Sequence, residues 1–192
     1  MARRDRATMS QATIANTRLK FDEINGIVVA FEVSGNVEQL VDSVLDLLII
    51  GYVWGVLDVG DTKGEYIEPD AEEMRETIYK KIAGENFEDR LQEYGEARDI
   101  DSIIRVAETE LHRVYNTAVV DTAEREGMAY KTWHTMLDDK VREEHTWLEG
   151  VEVPIDADFY IGDASAPAPG MFGVPELDIN CRCFITVSGE KE

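Results

Sequence analysis

Both cysteines of this 192-residue chain, Cys181 and Cys183, stand one residue apart in the run INCRCFITV, residues 179–187. The apolar and β-branched residues that follow them read as a final strand, on which residues i and i+2 share a face. Cys181 and Cys183 then point together and Arg182 points away. A disulfide between them would close a short, strained ring with its Cα separation near the upper limit. Two readings remain: small buried thiols, or two ligands of a metal, with zinc the natural choice.

Zinc takes about four N, S or O donors, which brings in His145, Asp138, Asp139 and Asp178. If residues 138–145 form one helix, Asp138 and His145 lie roughly 10 Å apart along its axis, too far for one ion. Asp138 is then a cap or hydrogen-bond acceptor and His145 the metal donor. His112 falls on a polar side of a long helix, and His134 is expected to be exposed, opposite Trp133 across a strand. Glu110 and Arg113 sit three apart on one helix edge together with Thr117, where such a pair is worth a few tenths of a kcal/mol. A catalytic zinc site keeps three protein ligands and one open position. His145, Cys181 and Cys183 with Glu110 as base would make a metal-dependent hydrolase or nuclease, but no motif fixes the distance from the carboxylate to the sulfurs.

The elements that must position these groups can be read along the chain. Residues 17–33 hold mixed apolar clusters, and GIVVAF fits either a strand or a helix. A break at SGN (34–36) is followed by helical spacing at Val37, Leu40, Val41, Val44 and Leu48. Leu47–Leu57 is about half of the roughly 20 residues a membrane span needs, so a buried helix is expected and no membrane. Gly51 and Gly55 would let another helix approach closely. Residues 60–70 form a loop and the best boundary. Asp70 caps a helix running to about Ala83, and a second, NFEDRLQEY, ends at Gly95. From Ile100 apolar residues recur every three to four positions through Ala118 in a narrow stripe, with Gly127 placed to end the helix. AYKTWHTML reads as a strand, DDKVREEHTWL as a short helix capped by Asp138 or Asp139, and GVEVPID as extended. Residues 163–176 read as a proline-rich loop without regular structure. The result is an α+β chain, a mainly helical body with a small C-terminal β-containing module. Residues 1–69 form an N-terminal helical region with a basic arm, and residues 70–192 a second unit.

The 19 basic and 40 acidic residues leave a net charge of −21. Such a chain repels nucleic acid in bulk, so DNA contact is confined to the basic start, MARRDR. No apolar segment follows that start, so no signal peptide is expected, and synthesis in a reducing cytoplasm suits two cysteines.

The order of features is more specific than any one of them. RVAETELHRVYNTA, then YKTWHTMLDDKVREEHTWLEG, then a proline-rich loop and NCRC, resembles the C-terminal region of the phage Mu F-like minor head proteins, the head morphogenesis family of tailed bacteriophages. The matching positions are Thr109, Glu110, Arg113, Asn116, Lys131, Trp133, Asp138, Val141, Arg142, His145, Leu148, Gly150, Asn180, Cys181, Arg182 and Cys183. They span roughly residues 75–188. Some members resemble Val-Cys-x-x-Cys where this chain has Val-Arg-x-x-His, with a histidine before the last Cys-Arg-Cys. Here Arg142 replaces the first cysteine, His145 stands at the second, and Asp178 lies near the histidine as a fourth candidate. A structural zinc is therefore the one cofactor left open, against packing of the same residues without metal.

The resemblance implies a non-enzymatic minor capsid protein in the virion head near the portal vertex, acting in head assembly or genome ejection. It implies the portal protein as partner, with the major capsid protein as a second candidate, and residues 1–70 are expected to help form the anchor. Members that resemble toxin fusions suggest a carrier role too, but this chain stops nine residues after Cys183, so no effector is expected here.

Overall fold

A computed structural model describes residues 22–190, so the basic arm and its expected DNA contact lie outside the described residues. The helices are α1 (Asp22–Ser34), α2 (Val37–Lys63), α3 (Ala71–Ile78), α4 (Phe87–Ala97), α5 (Ile100–Arg125), α6 (Glu143–Thr146) and α7 (Pro175–Asp178). The strands are β1 (Met128–His134), β2 (Glu152–Pro154), β3 (Phe159–Ile161), β4 (Ala164–Ala166) and β5 (Phe184–Glu190). The architecture is α+β and mainly helical, with GIVVAF inside α1.

α5 is the centre of the molecule. Every residue from Glu110 to Val120 is buried, so the helix is wrapped on all sides rather than along one stripe. The narrow stripe expected from its periodicity is too small for this reason, and His112, placed on a polar side by that stripe, is buried as well. α2 lies along one flank of α5 and buries Leu40, Val44, Leu48, Tyr52 and Val56. Glycine makes this approach close. A Cβ added at Gly55 would stand 2.7 Å from the Tyr115 carbonyl oxygen and 2.8 Å from the Ala118 Cβ. α2 is long and apolar enough to cross a membrane by length and composition alone; here its glycine face is seated on α5. Tyr115 donates its hydroxyl to Asp58 at 2.7 Å and ties the two helices at their far end.

Caps set most helix limits. Asn36 and Asp99 accept from backbone N–H groups at the starts of α2 and α5, and Asp70 accepts from Glu72 and Glu73 at 2.9 Å. α3 stops at Ile78, short of Ala83, because Ile82 and Glu85 pair across a tight turn with Ala83 and Gly84 at positive φ. A capping box between Asn86 and Asp89 then starts α4. α2 runs to Lys63, four residues into the expected loop, where Gly64 ends it in the left-handed conformation.

The C-terminal module is an antiparallel sheet in the order β2-β1-β5, with Trp133 opposite Ile185 and Lys131 opposite Val153 and Val187. The proline-rich segment is more regular than expected. β4 pairs with β3 across the two-residue turn Gly162–Asp163, and Pro175 opens α7. β5 starts at Phe184, so the cysteines lie just before the strand rather than on it.

Candidate functional site

Asn116 does the most to position the terminal segment. It sits fully buried on α5, and its side-chain amide donates to the carbonyls of Pro169 at 3.2 Å and Cys183 at 3.1 Å. Its Oδ1 accepts the Ile185 N–H at 3.2 Å. One side chain thus joins the helix, the long loop and the start of β5. About two turns earlier, Thr109 accepts the N–H of Asn180 at 3.1 Å. Asn180 has φ +60°, a left-handed conformation that asparagine tolerates better than most residues. It turns the chain so that Cys181 enters the module.

The arginines of this region are spent on the chain itself. Arg182 makes a two-pronged contact with Asp138 at 2.8 and 2.7 Å. Arg142 donates to the Ile179 carbonyl. The pairing with Arg182 lowers the Asp138 carboxyl from its ordinary value. The expected helix from 138 is a turn, with α6 only four residues long and starting at Glu143. Asp138 accepts the Lys140 N–H, so it is an acceptor in a turn rather than a helix cap.

These contacts bring together His145, Cys181 and Cys183, all buried. Their donor atoms lie within 4.8 Å of one another. His145 Nδ1 is 3.6 Å from the Cys181 sulfur and 3.5 Å from that of Cys183. Both cysteines are free thiols. The Cys181 thiol is pulled down to about 5, first by hydrogen bonding with Cys183 and then, against burial, by His145. Cys183 is pushed up by the same neighbour and by burial. Trp133 packs edge-on against His145 with centroids 5.7 Å apart and also meets Phe159 at 5.2 Å. Gly150, at φ +72°, donates its N–H to the Trp133 carbonyl and turns the chain back into β2.

Two expected members stand elsewhere. Asp178 accepts the N–H groups of Phe172, Gly173 and Val174 at 3.0, 2.7 and 3.2 Å. It clasps its own loop and is not part of the donor cluster found among the described residues. Glu110 is not there either. It is buried, with Oε1 on Arg90 at 2.9 Å and Oε2 on Arg113 at 2.7 Å. Arg113 reaches on to the Thr77 carbonyl at 3.0 Å. The pair expected at an exposed edge is therefore a buried network, in which losing one partner would cost far more than a few tenths of a kcal/mol. Arg90 was not foreseen, because its partner is 20 residues away on another helix and no local pattern signals that. His134 is half-buried rather than exposed: it stacks on Phe184 at 5.3 Å and bonds Thr186 at 2.9 Å.

Burial marks two further titratable groups. His112 is depressed to about 3 by desolvation and, secondarily, by the charge of Arg182. Lys131 is lowered by burial, against the fields of Glu124, Asp158 and Asp156, with its ammonium 5.7 Å from the centre of the Phe159 ring.

The molecule is thus a helical body closed by a small antiparallel sheet, with a polar helix edge gripping a terminal Cys-x-Cys segment. The family model described as Phage Mu protein F like protein matches residues 71–186. The chain belongs to that family. It is also 37% identical over 84 residues to the NAD(+)–arginine ADP-ribosyltransferase EFV of Enterococcus faecalis. The aligned stretch is 42% of this chain and 17% of that relative. No solved structure matches.

Proposed function

We propose that this protein is a minor head component of a tailed phage particle, docked at the portal vertex and acting in head assembly or genome delivery. The observation that carries the proposal is the family match over residues 71–186. How the motif residues are used supports it. Thr109, Asn116, Asp138, Arg142, Gly150, Asn180 and Arg182 all hold one chain segment to another. Glu110 and Arg113 hold each other, Arg90 and Thr77. That is the economy of a rigid module presented to partners. With a net charge of −21, it needs a protein anchor, because its own field opposes packaged DNA. The transferase named among its relatives shares only a minor part of its length with this chain, which lends no support to that activity here.

Cross-linking mass spectrometry on purified particles tests the proposal. Links to the portal at low copy number are expected; absence of the chain from particles overturns it. The anchor is best probed without truncation, since α1 and α2 bury Ile24, Phe31, Leu48 and Val56 in the same core as α5. Charged substitutions at the exposed Val29 and Val33 of α1 should lower portal co-purification while leaving the fold intact. Unchanged co-purification would remove this face from the anchor.

A further inference from the structure

We propose that His145, Cys181 and Cys183 bind one zinc ion through Nδ1 and the two Sγ atoms, with the fourth coordination position taken by water. The proposal is independent of the portal role.

Distance is the first support. With Zn–S of about 2.3 Å and Zn–N of about 2.0–2.1 Å, a tetrahedral angle separates a sulfur from a nitrogen by roughly 3.5–3.6 Å. The two Nδ1–Sγ distances are 3.6 and 3.5 Å. Both edges of the donor triangle that meet at the histidine therefore have the length a shared zinc imposes. Hydrogen bonding alone accounts for the geometry less well. An imidazole Nδ1 carries either one lone pair or one proton, so it serves one sulfur well and not two at equal distance. A cation at the centre serves all three atoms. Two soft thiolates and an imidazole select zinc over the hard cations, and two thiolates neutralise its charge inside a buried site.

Preorganisation is the second support. Each donor is fixed by a contact outside the trio. The Cys183 carbonyl is held by Asn116, the residue before Cys181 by Thr109, and the residue between the cysteines by Asp138. Trp133 packs on the His145 ring. Positioning of this kind keeps ligands in place before metal arrives.

The fourth position follows from what the chain lacks. Its sequence has no third cysteine and only two other histidines. His134 is engaged with Thr186 and Glu149, and His112 lies outside the cluster. Asp178 is clasped by three amides. Above the trio a small surface pocket opens, rimmed by Lys140, Arg142 and Arg182, through which water reaches the fourth position.

The test uses the untagged full-length protein, purified from zinc-supplemented cells and analysed for metal by mass spectrometry. One zinc per chain is expected, and a cobalt-exchanged sample should show sulfur-to-metal charge transfer with the intense visible bands of a four-coordinate site. Cys181→Ser and Cys183→Ser should each lose the metal. Because either could misfold, wild-type protein stripped with a chelator and shown folded by circular dichroism is also titrated with zinc against a chromophoric competitor, expecting recovery of one equivalent. Folded wild-type protein without stoichiometric zinc that gives only an octahedral cobalt spectrum overturns the proposal. So does a folded double-serine variant that keeps its zinc.

Discussion

α5 meets the rest of the molecule along two seams of opposite character. Towards α2 the contact is apolar and close, set by Gly51 and Gly55 against Leu111, Tyr115 and Ala118. Towards α3, α4 and the C-terminal module it is polar, set by Glu110, Arg113, Asn116 and Thr109 bonding side chains and backbone far away in sequence. Apolar packing is non-directional and tolerates some sliding, whereas a buried ion pair or amide clamp works in one register only. The first seam supplies cohesion, and the second dictates where the Cys-Arg-Cys segment must lie.

If that contrast holds, Glu110→Ala is the most damaging single change. It leaves Arg113 buried and unpaired, for an expected loss of about 3–5 kcal/mol, read by urea unfolding. Replacing Glu110 and Arg113 together with apolar residues should cost less than the single change. A loss at the level of a surface pair would show that this seam is not directional. Asn116→Ala comes next, at about 1–3 kcal/mol, mainly because the Ile185 N–H is left without a partner; an under-satisfied carbonyl, as at Pro169 and Cys183, is tolerated better. Hydrogen exchange at Ile185 should rise selectively, which a general loss of packing would not produce.

On the apolar seam the two glycines should separate. The new Cβ of Gly55→Ala meets backbone at Tyr115, so the helices must part, at about 1–3 kcal/mol. At Gly51→Ala it meets the Leu111 Cδ1 at 2.4 Å, the far end of a side chain that can turn aside. With helix propensity adding about 1 kcal/mol in favour of alanine, that variant should be near neutral. Equal losses at both would mean that side-chain rotation does not relieve the contact.

The remaining effects appear only as pH is changed. His112 has its folded pKa depressed from 6.5 to about 3, so the folded state binds fewer protons. Its contribution is complete above pH 6.5 and is lost as pH falls towards 3. His112→Gln should flatten that acid limb. Asp121 runs the other way, raised from 3.8 to about 6 by burial and then by Glu73 and Glu124. Its ionised form weakens the fold at neutral pH, and the penalty fades as pH falls from 6 to 3.8. Asp121→Asn should therefore raise thermal stability at pH 7 and change little below pH 3.8, checked by melting curves across that range.

How far the sequence was legible follows the same division. Helix limits at Asn36, Asp70, Asn86 and Asp99 rest on local hydrogen bonds, so caps and spacing place them well. The helix from Asp138 fails because Arg182, 44 residues on, takes that carboxylate. The pairing of β3 and β4 was hidden because three-residue strands carry too little periodicity to be seen.

By itself the amino-acid sequence determined the family and the helical body with its β-containing end, and it singled out His145, Cys181 and Cys183 as candidate donors, since residue type, order and short-range spacing suffice for these. Only the tertiary structure decided that Glu110 is buried between two arginines, that Asp178 clasps its own loop, and that the three donors meet. Each of these depends on segments far apart in the chain arriving at one place, and that is set by how the whole core packs.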